Sequence, residues 1–127
     1  MKLLLDTLAF LWFVAGDPQL SRAARRAMEA EDAELYVSAA CVWEMAIKAG
    51  LGRLTLPDPL EVYVAEKVAS GFRMLPVEWQ HAAAVEKLPA HHRDPFDRLL
   101  VAQALVENLT VVTCDEVFRS YGIKVVW

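Results

Sequence analysis

The sequence predicts an α/β fold, an α/β/α sandwich in which helices cover a central parallel sheet of four to five short strands. Short apolar runs alternate with stretches of helical periodicity along the whole chain. Strands that are separated by helices pair in parallel, because a parallel connection needs a long crossover. Three leucines at residues 3–5 are typical of a strand buried on both faces, and the β-branched run at residues 110–113 is the clearest strand.

The N-terminal half is predicted to contain two strands and four helices. Pro18 is expected to open the second helix, because proline suits the first helical turn and apolar residues follow at helical spacing. Ser38 is expected to cap the third helix, which should end at Gly50 in the left-handed conformation common at helix ends. The predicted strands are residues 3–5 and 35–37, and the predicted helices are residues 7–15, 18–28, 39–49 and 57–69.

The C-terminal half is predicted to contain three strands and three helices. Asp94 and Pro95 suit the N-cap and the first position of a long helix that should continue through Glu107. Residues 88–93 are predicted to form the loop before it. The predicted strands are residues 74–77, 110–113 and 123–126, and the predicted helices are residues 78–87, 95–107 and 116–121.

Length and composition restrict the class of protein. The chain has 127 residues, of which 56% are hydrophobic, and a net charge of −4. These values predict one domain over residues 1–127 and exclude an intrinsically disordered chain and a polybasic nucleic-acid binder. The longest apolar run, residues 8–15, is too short to span a membrane, and Asp6 interrupts what would otherwise resemble a secretory signal. We therefore expect a cytoplasmic protein with no membrane partner.

Two acidic residues follow the two most convincing strands. Asp6 comes directly after the leucine strand, and Asp115 follows the strand at residues 110–113. Either acid alone is explained by capping of the next helix. In open parallel sheets, however, ligands bind beyond the carboxyl ends of the strands. Both acids are therefore candidates for a site at that edge.

Two further acids lie on helices that should be buried. Glu44 is in the middle of an almost entirely apolar helix, where a carboxylate needs a charged partner, a metal ion or a raised pKa. An i, i+4 pair with Lys48 is the ordinary alternative. Asp97 complements the dipole of its helix from the first turn. Its neighbours Leu100 and Val101 belong to the core-facing stripe, so Asp97 should also point inward.

Asp6, Glu44, Asp97 and Asp115 are predicted to converge on one pocket. Four adjacent carboxylates raise one another's pKa unless a cation neutralises them, and oxygen ligands select Mg²⁺ or Mn²⁺ over Zn²⁺. Carboxylate-held Mg²⁺ is suited to hydrolysis at phosphorus. The cysteines are interpreted as buried and the histidines as loop or surface residues, because neither set has the spacing of zinc ligands: Cys41, Cys114, His81, His91 and His92.

Four segments of the chain form an ordered set of short motifs. They are Leu4-Leu5-Asp6-Thr7, residues 38–48 (SAACVWEMAIK), residues 94–104 (DPFDRLLVAQA) and Thr113-Cys114-Asp115. In order and spacing this set resembles the PIN domain, and more closely the VapC-type toxins of type II toxin–antitoxin systems. The resemblance spans essentially the whole chain.

The resemblance implies a metal-dependent endoribonuclease that uses Mg²⁺, with Mn²⁺ as an alternative. Asp6, Glu44 and Asp97 would be the catalytic and metal-binding triad, and Asp115 would be a fourth acid of the same site. The implied partners are an RNA substrate, a VapB-like antitoxin whose tail occupies the active-site groove, and a second copy of the chain in a homodimer.

Residues near the acids are candidates for substrate binding. Thr7 offers a hydroxyl group, and Lys48 and Arg98 offer positive charge to RNA phosphates. The ordinary interpretations are local capping for Thr7 and solvated surface charge for the two cations.

Aromatic residues cluster on the first and third helices. Core packing is the default expectation for Phe10, Trp12, Phe13 and Trp43. So many large apolar side chains on short helices also suit an interface. We therefore expect part of the stretch at residues 10–13 to form a dimer or antitoxin surface.

Two other functions stay open from the sequence. One is a PIN-domain nuclease for RNA maturation that has no antitoxin. The other is a non-catalytic α/β interaction module in which the acids are only caps and ion pairs. A phosphoryl-transfer enzyme of the haloacid-dehalogenase type is excluded, because it needs a second aspartate two residues after the first and Leu8 occupies that position.

Overall fold

A computed structural model describes residues 1–127 and contains one five-stranded parallel sheet flanked by helices. The predicted α/β class is therefore confirmed. The strands are β1 (Lys2–Leu5), β2 (Glu34–Ser38), β3 (Arg73–Leu75), β4 (Thr110–Val112) and β5 (Val125–Val126). The helices are α1 (Thr7–Ala15), α2 (Arg22–Glu29), α3 (Ala39–Gly50), α4 (Leu60–Ala69), α5 (Trp79–Ala84) and α6 (Pro95–Glu107), with 3₁₀ helices at Val85–Lys87 and Glu116–Tyr121.

The leucine strand β1 is the centre of the sheet, whose strand order is β3-β2-β1-β4-β5. Leu3, Leu4 and Leu5 have no solvent exposure, as expected for a strand covered on both faces. Burial of each leucine side chain contributes about 1.5–3 kcal/mol to folding. In the register of the sheet, Leu5 pairs with Val37 of β2 and Val112 of β4. The carboxyl ends of the three central strands therefore coincide at one edge.

Several predicted boundaries are wrong for local reasons. Helix α2 begins at Arg22 and not at Pro18, because the Ser21 side chain accepts a hydrogen bond from the Ala24 amide and caps the helix there. Gly50 is still helical, and the left-handed glycine after α3 is Gly52, whose φ is +72°.

The predictions for the last strands and for residues 78–87 also need correction. Strand β3 ends at Leu75, since the next residue, Pro76, has no amide hydrogen for the ladder. Residues 78–87 divide into α5 and a 3₁₀ helix, the segment at residues 116–121 is 3₁₀ throughout, and β5 keeps only two residues. No helix combines the length and apolar character needed to cross a membrane.

Candidate active site

One cleft at the carboxyl edge of the sheet contains all four predicted acids. The cleft has a volume of about 220 Å³, and Asp6, Glu44, Asp97 and Asp115 all line it. Asp6 follows β1, Asp115 lies three residues after β4, and the other two acids lie on α3 and α6. The parallel register thus assembles carboxylates that are up to 109 positions apart in sequence.

Asp6 caps helix α1 and also lines the cleft. Its Oδ1 atom accepts a hydrogen bond of 2.7 Å from the Ala9 amide, so the capping interpretation holds for this oxygen. Burial raises the pKa of Asp6, and the charges of Glu44 and Asp115 act in the same direction. Hydrogen bonds from Thr113 and Ala9 offset part of the rise. An ionised Asp6 is therefore costly unless a positive charge lies nearby.

Glu44 is held by both residues that the sequence placed near it. The Thr7 hydroxyl donates to Oε1 of Glu44, and the Lys48 ammonium lies 3.0 Å from Oε2. The Glu44 side chain is 17% exposed, whereas that of Lys48 is 46% exposed. Because Lys48 reaches into the cleft from solvent, it supplies positive charge beside the acids.

Asp97 occupies the first turn of α6, directly after its cap. Asp94 accepts hydrogen bonds from the amides of Phe96 and Asp97, as the sequence predicted. Burial, together with the charges of Asp94, Glu44 and Asp115, raises the pKa of Asp97 to about 6, against a smaller opposing effect of His92. The cleft therefore disfavours a second and third negative charge when no cation is present.

Asp115 has an unexpected histidine partner. Its Oδ1 atom accepts from the Val117 amide and caps the following 3₁₀ helix, while Oδ2 lies 2.8 Å from Nε2 of His92. The potential ligand atoms of His92, Asp97 and Asp115 all lie within 4.8 Å of one another. His92 lies in the predicted loop, but its side chain is only 8% exposed and is therefore not at the surface.

The interpretation of His81 as a surface or loop residue is wrong. It is buried in α5, where Nδ1 accepts from the Glu78 amide and Nε2 lies 3.0 Å from the Glu107 carboxylate. His81 therefore connects the start of α5 to Glu107 at the C-terminal end of α6. Cys41 is buried as predicted, but Cys114 is exposed at the cleft.

The position of Arg98 does not support the substrate-binding role that was predicted for it. Its guanidinium donates hydrogen bonds to the carbonyls of Val85, Leu88 and Pro89, and it does not line the cleft. Arg98 therefore holds the loop that leads to α6. Lys48 is the predicted cation that does lie in the cleft.

The predicted aromatic residues divide between core and surface. Phe10 is buried and packs edge-to-face on Phe72. Trp43 is 61% exposed beside the cleft and contacts Phe96, so the expectation of core packing is wrong for Trp43. Trp12 is half-buried against Trp127 and lines an apolar groove of about 460 Å³ next to the acids.

The donor set of the cleft fits a divalent cation. All four acids offer oxygen atoms, which suit hard ions such as Mg²⁺ and Mn²⁺. Burial, and to a lesser extent the neighbouring carboxylates, raises the pKa of Asp6 and Asp97. A bound dication would favour the ionised form of both carboxylates and offset these effects.

The chain is similar to known proteins in sequence and in fold. The profile of the PIN domain family matches residues 3–124. Ribonuclease VapC22 of Mycobacterium tuberculosis (strain ATCC 25618 / H37Rv) is 34% identical over 119 residues, which cover 93% of this chain and 90% of that protein.

Two solved structures share the fold at lower identity. VapBC2 from Rickettsia felis, bound to a DNA fragment from its promoter, aligns with a TM-score of 0.73 and 15% identity over 98% of this chain and 97% of that one. DNA-bound VapBC from Salmonella typhimurium aligns with a TM-score of 0.69 and 21% identity over 98% and 96% of the respective chains.

Proposed function

The chain belongs to the PIN-domain family, and on this premise we propose that it is a VapC-type endoribonuclease that cleaves RNA in the acidic cleft. The observation that carries the proposal is the convergence of Asp6, Glu44, Asp97 and Asp115 in one cleft. The similarity to ribonuclease VapC22 over most of both chains supports the same activity. Its site of action would be the cytoplasm, where RNA is available.

The four carboxylates would have different roles in phosphodiester hydrolysis. Asp6, Asp97 and Asp115 would hold Mg²⁺, which when bound activates water and stabilises charge on the phosphoryl oxygens. Glu44 orients the attacking water, and the Thr7 hydroxyl and Lys48 ammonium fix its two oxygens for that task.

Lys48 is the cation of this chain placed to receive a substrate phosphate. Its ammonium lies in the cleft and is 46% exposed, so it can exchange part of its contact with Glu44 for a phosphate oxygen. Thr7 lies in the same cleft, but its hydroxyl is already committed to Glu44. We therefore assign to Lys48 substrate binding in addition to its contact with Glu44, and to Thr7 the positioning of Glu44 alone.

Loss of one cleft carboxylate is expected to abolish RNA cleavage. Asp6→Asn should reduce the rate of RNA cleavage by about 100-fold or more. The substitution removes a charged metal ligand and, with it, the activation of water by the metal ion. The assay measures cleavage of total RNA by the purified protein with Mg²⁺ and with EDTA. Asp58→Asn is the matched control, because Asp58 is exposed and does not line the cleft. RNA cleavage by a folded Asp6→Asn protein at the wild-type rate would contradict the assignment of catalysis to this cleft, whereas no cleavage by the wild type would leave the non-catalytic interaction module.

An apolar groove beside the cleft suits a VapB-like antitoxin. The groove is lined by Leu11, Trp12, Leu56 and Tyr63, and it shares Leu8 with the acidic cleft. A partner segment that packs its apolar side chains in the groove would therefore continue directly over the acids. That arrangement would block the active site and neutralise the nuclease.

A different surface suits the proposed homodimer. Trp43 and Ile47 are exposed and lie four residues apart on one face of α3, and the exposed Leu51 follows four residues later as the C-cap of the helix. A row of exposed apolar side chains on one helix is typical of an interface. We assign this face to a second copy of the chain and the groove at Trp12 to the antitoxin.

Two charge substitutions separate these partners. Trp12→Glu should weaken binding of the VapB-like protein encoded by the neighbouring reading frame by about 30-fold or more, because a buried aromatic anchor is replaced by a charge. Ile47→Glu should instead lower the molar mass in light scattering to that of a monomer and leave antitoxin binding intact. Each variant is the control for the other. A folded Trp12→Glu protein that is still fully neutralised would contradict the assignment, and a genome without a neighbouring antitoxin would favour the RNA-maturation nuclease.

A further inference from the structure

The His92 side chain is 8% exposed and lies between an acid of the cleft and a tyrosine hydroxyl. Its Nε2 atom lies 2.8 Å from Oδ2 of Asp115, and its Nδ1 atom lies 2.9 Å from the hydroxyl oxygen of Tyr121. The same hydroxyl oxygen accepts a hydrogen bond of 2.9 Å from the His92 amide. The imidazole is parallel to the Tyr121 ring within 3° and packs edge-on against Phe118. Packing and hydrogen bonds therefore fix the ring in one orientation.

The hydrogen-bond inventory assigns a single proton arrangement to neutral His92. An ionised Asp115 carboxylate only accepts hydrogen bonds, so Nε2 of His92 carries the hydrogen that faces it. Nδ1 is then an acceptor and needs a donor. The Tyr121 oxygen already accepts from the His92 amide, and its own hydrogen is free to point to Nδ1. Tyr121 thus fixes the tautomer of His92 that donates to Asp115.

This arrangement gives His92 a different role from the acids beside it. The three ligand-type groups of His92, Asp97 and Asp115 are close enough to share one ion. However, an Nε2 atom that donates its hydrogen to Asp115 has no lone pair for a metal. His92 therefore acts through Asp115, in the way that outer groups orient metal-binding side chains.

Hydrogen bonds fix both the Asp115 carboxylate and the loop that carries His92. Oδ1 of Asp115 accepts from the Val117 amide, so hydrogen bonds fix both oxygens and hence the carboxylate plane. The loop that carries His92 is itself tied down by Arg98, which binds three carbonyls at its start.

We propose that His92 and Tyr121 are positioning residues that orient the Asp115 carboxylate to bind the divalent cation of the cleft. The inference rests on the proposed metal-dependent nuclease. It adds two residues, from the loop before α6 and from the last 3₁₀ helix, that lie outside the four acids. Without them, the Asp115 carboxylate rotates more freely and presents a less suitable geometry to the metal.

Calorimetric titration with Mn²⁺ tests the proposal independently of RNA cleavage. His92→Ala should raise the dissociation constant for Mn²⁺ about tenfold or more, in the range typical of lost outer-shell groups. Tyr121→Phe removes only one hydroxyl and should raise it by a smaller factor of about three. His92→Gln places an amide donor near the position of Nε2 and should restore most of the affinity. His91→Ala is the matched control, because the His91 ring forms an edge-to-face pair with Tyr121 and no hydrogen bond to Asp115; this variant should bind Mn²⁺ like the wild type.

The possible outcomes separate this inference from the proposed function. If the wild type binds Mn²⁺ and cleaves RNA while folded His92→Ala and Tyr121→Phe proteins bind it equally well, the positioning role is wrong and the nuclease stands. A directly bound imidazole nitrogen in the Mn²⁺ electron paramagnetic resonance spectrum would also overturn it. A wild-type protein that binds no Mn²⁺ and cleaves no RNA would overturn both. If His92→Ala does not fold, the Tyr121→Phe and His92→Gln proteins still decide the outcome.

Discussion

Asp97→Asn is expected to raise the thermal stability of the metal-free protein at pH 7 while it abolishes RNA cleavage. Burial and the neighbouring charges of Asp94, Glu44 and Asp115 raise the pKa of Asp97 to about 6. At pH 7 the folded protein must therefore carry a charge that its own cleft disfavours. Asparagine has a similar shape and no charge, so it removes this unfavourable energy together with a metal-binding oxygen.

The expected pH dependence follows from the direction of the shift. Below the ordinary value of 3.8, Asp97 is protonated in the folded and the unfolded chain, and the substitution has little electrostatic effect. Between 3.8 and about 6 the folded chain keeps the proton that the unfolded chain has lost, so stability falls as pH rises through this window. Because Asp97 is only half-buried and solvent screens its charge, the effect at pH 7 is about 1 kcal/mol.

Thermal unfolding in EDTA and in Mg²⁺ measures this effect. A gain of 1 kcal/mol corresponds to a rise in Tm of about 2–5 °C for a domain of this size. The gain should vanish below pH 4. Mg²⁺ should raise the Tm of the wild type more than that of Asp97→Asn, and Asp58→Asn should behave like the wild type throughout. A lower Tm for Asp97→Asn than for the wild type at pH 7 in EDTA would contradict this account of the cleft.

The four acids were predictable because each depends on a strong constraint. Asp6 and Asp115 follow buried parallel strands, whose carboxyl ends must share an edge. Glu44 stands out because its helix is otherwise apolar, and Asp97 because it shares a face with core residues. In each case a local pattern and a general rule of sheet topology were enough to place the side chain.

The missed residues depend on contacts that no local pattern encodes. His92 reaches Asp115 and Tyr121, which lie 23 and 29 positions further along the chain. The Arg98 guanidinium donates to the carbonyls of Val85, Leu88 and Pro89 instead of lining the cleft, and helical periodicity does not predict such contacts. Trp43 is hydrophobic and yet exposed, which only the packing of α3 against the rest of the chain decides.

Gln103→Ala is expected to lower the free energy of unfolding more than any other substitution considered for this protein. Gln103 lies on α6 and has no solvent exposure. Its Oε1 atom accepts a hydrogen bond from the Ser38 hydroxyl, and its Nε2 atom donates to the Pro76 carbonyl at 3.2 Å. Ser38 in turn accepts from the Ala40 amide and caps α3. One buried amide group therefore connects α6, the start of α3 and the segment after β3.

The size of the effect follows from the two groups that lose their partner. Alanine leaves a cavity and removes the partner of both the Pro76 carbonyl and the Ser38 hydroxyl, which together should cost about 3 kcal/mol. Gln103→Leu fills the volume but still leaves the carbonyl and the Ser38 hydroxyl without a partner, so it should cost about 2 kcal/mol. Leu105→Ala, on the exposed side of the same helix, should change the free energy of unfolding by about 0.5 kcal/mol or less.

Urea denaturation of the three variants measures these differences, and RNA cleavage by the folded Gln103→Leu protein adds a functional readout. Asp97 lies on α6 and Glu44 on α3, and Gln103 joins the two helices through Ser38. Loss of this connection should let the helices shift and lower the cleavage rate, although Gln103 itself does not line the cleft. A Gln103→Leu protein that is as stable and as active as the wild type would show that sheet packing alone holds the carboxylates in place.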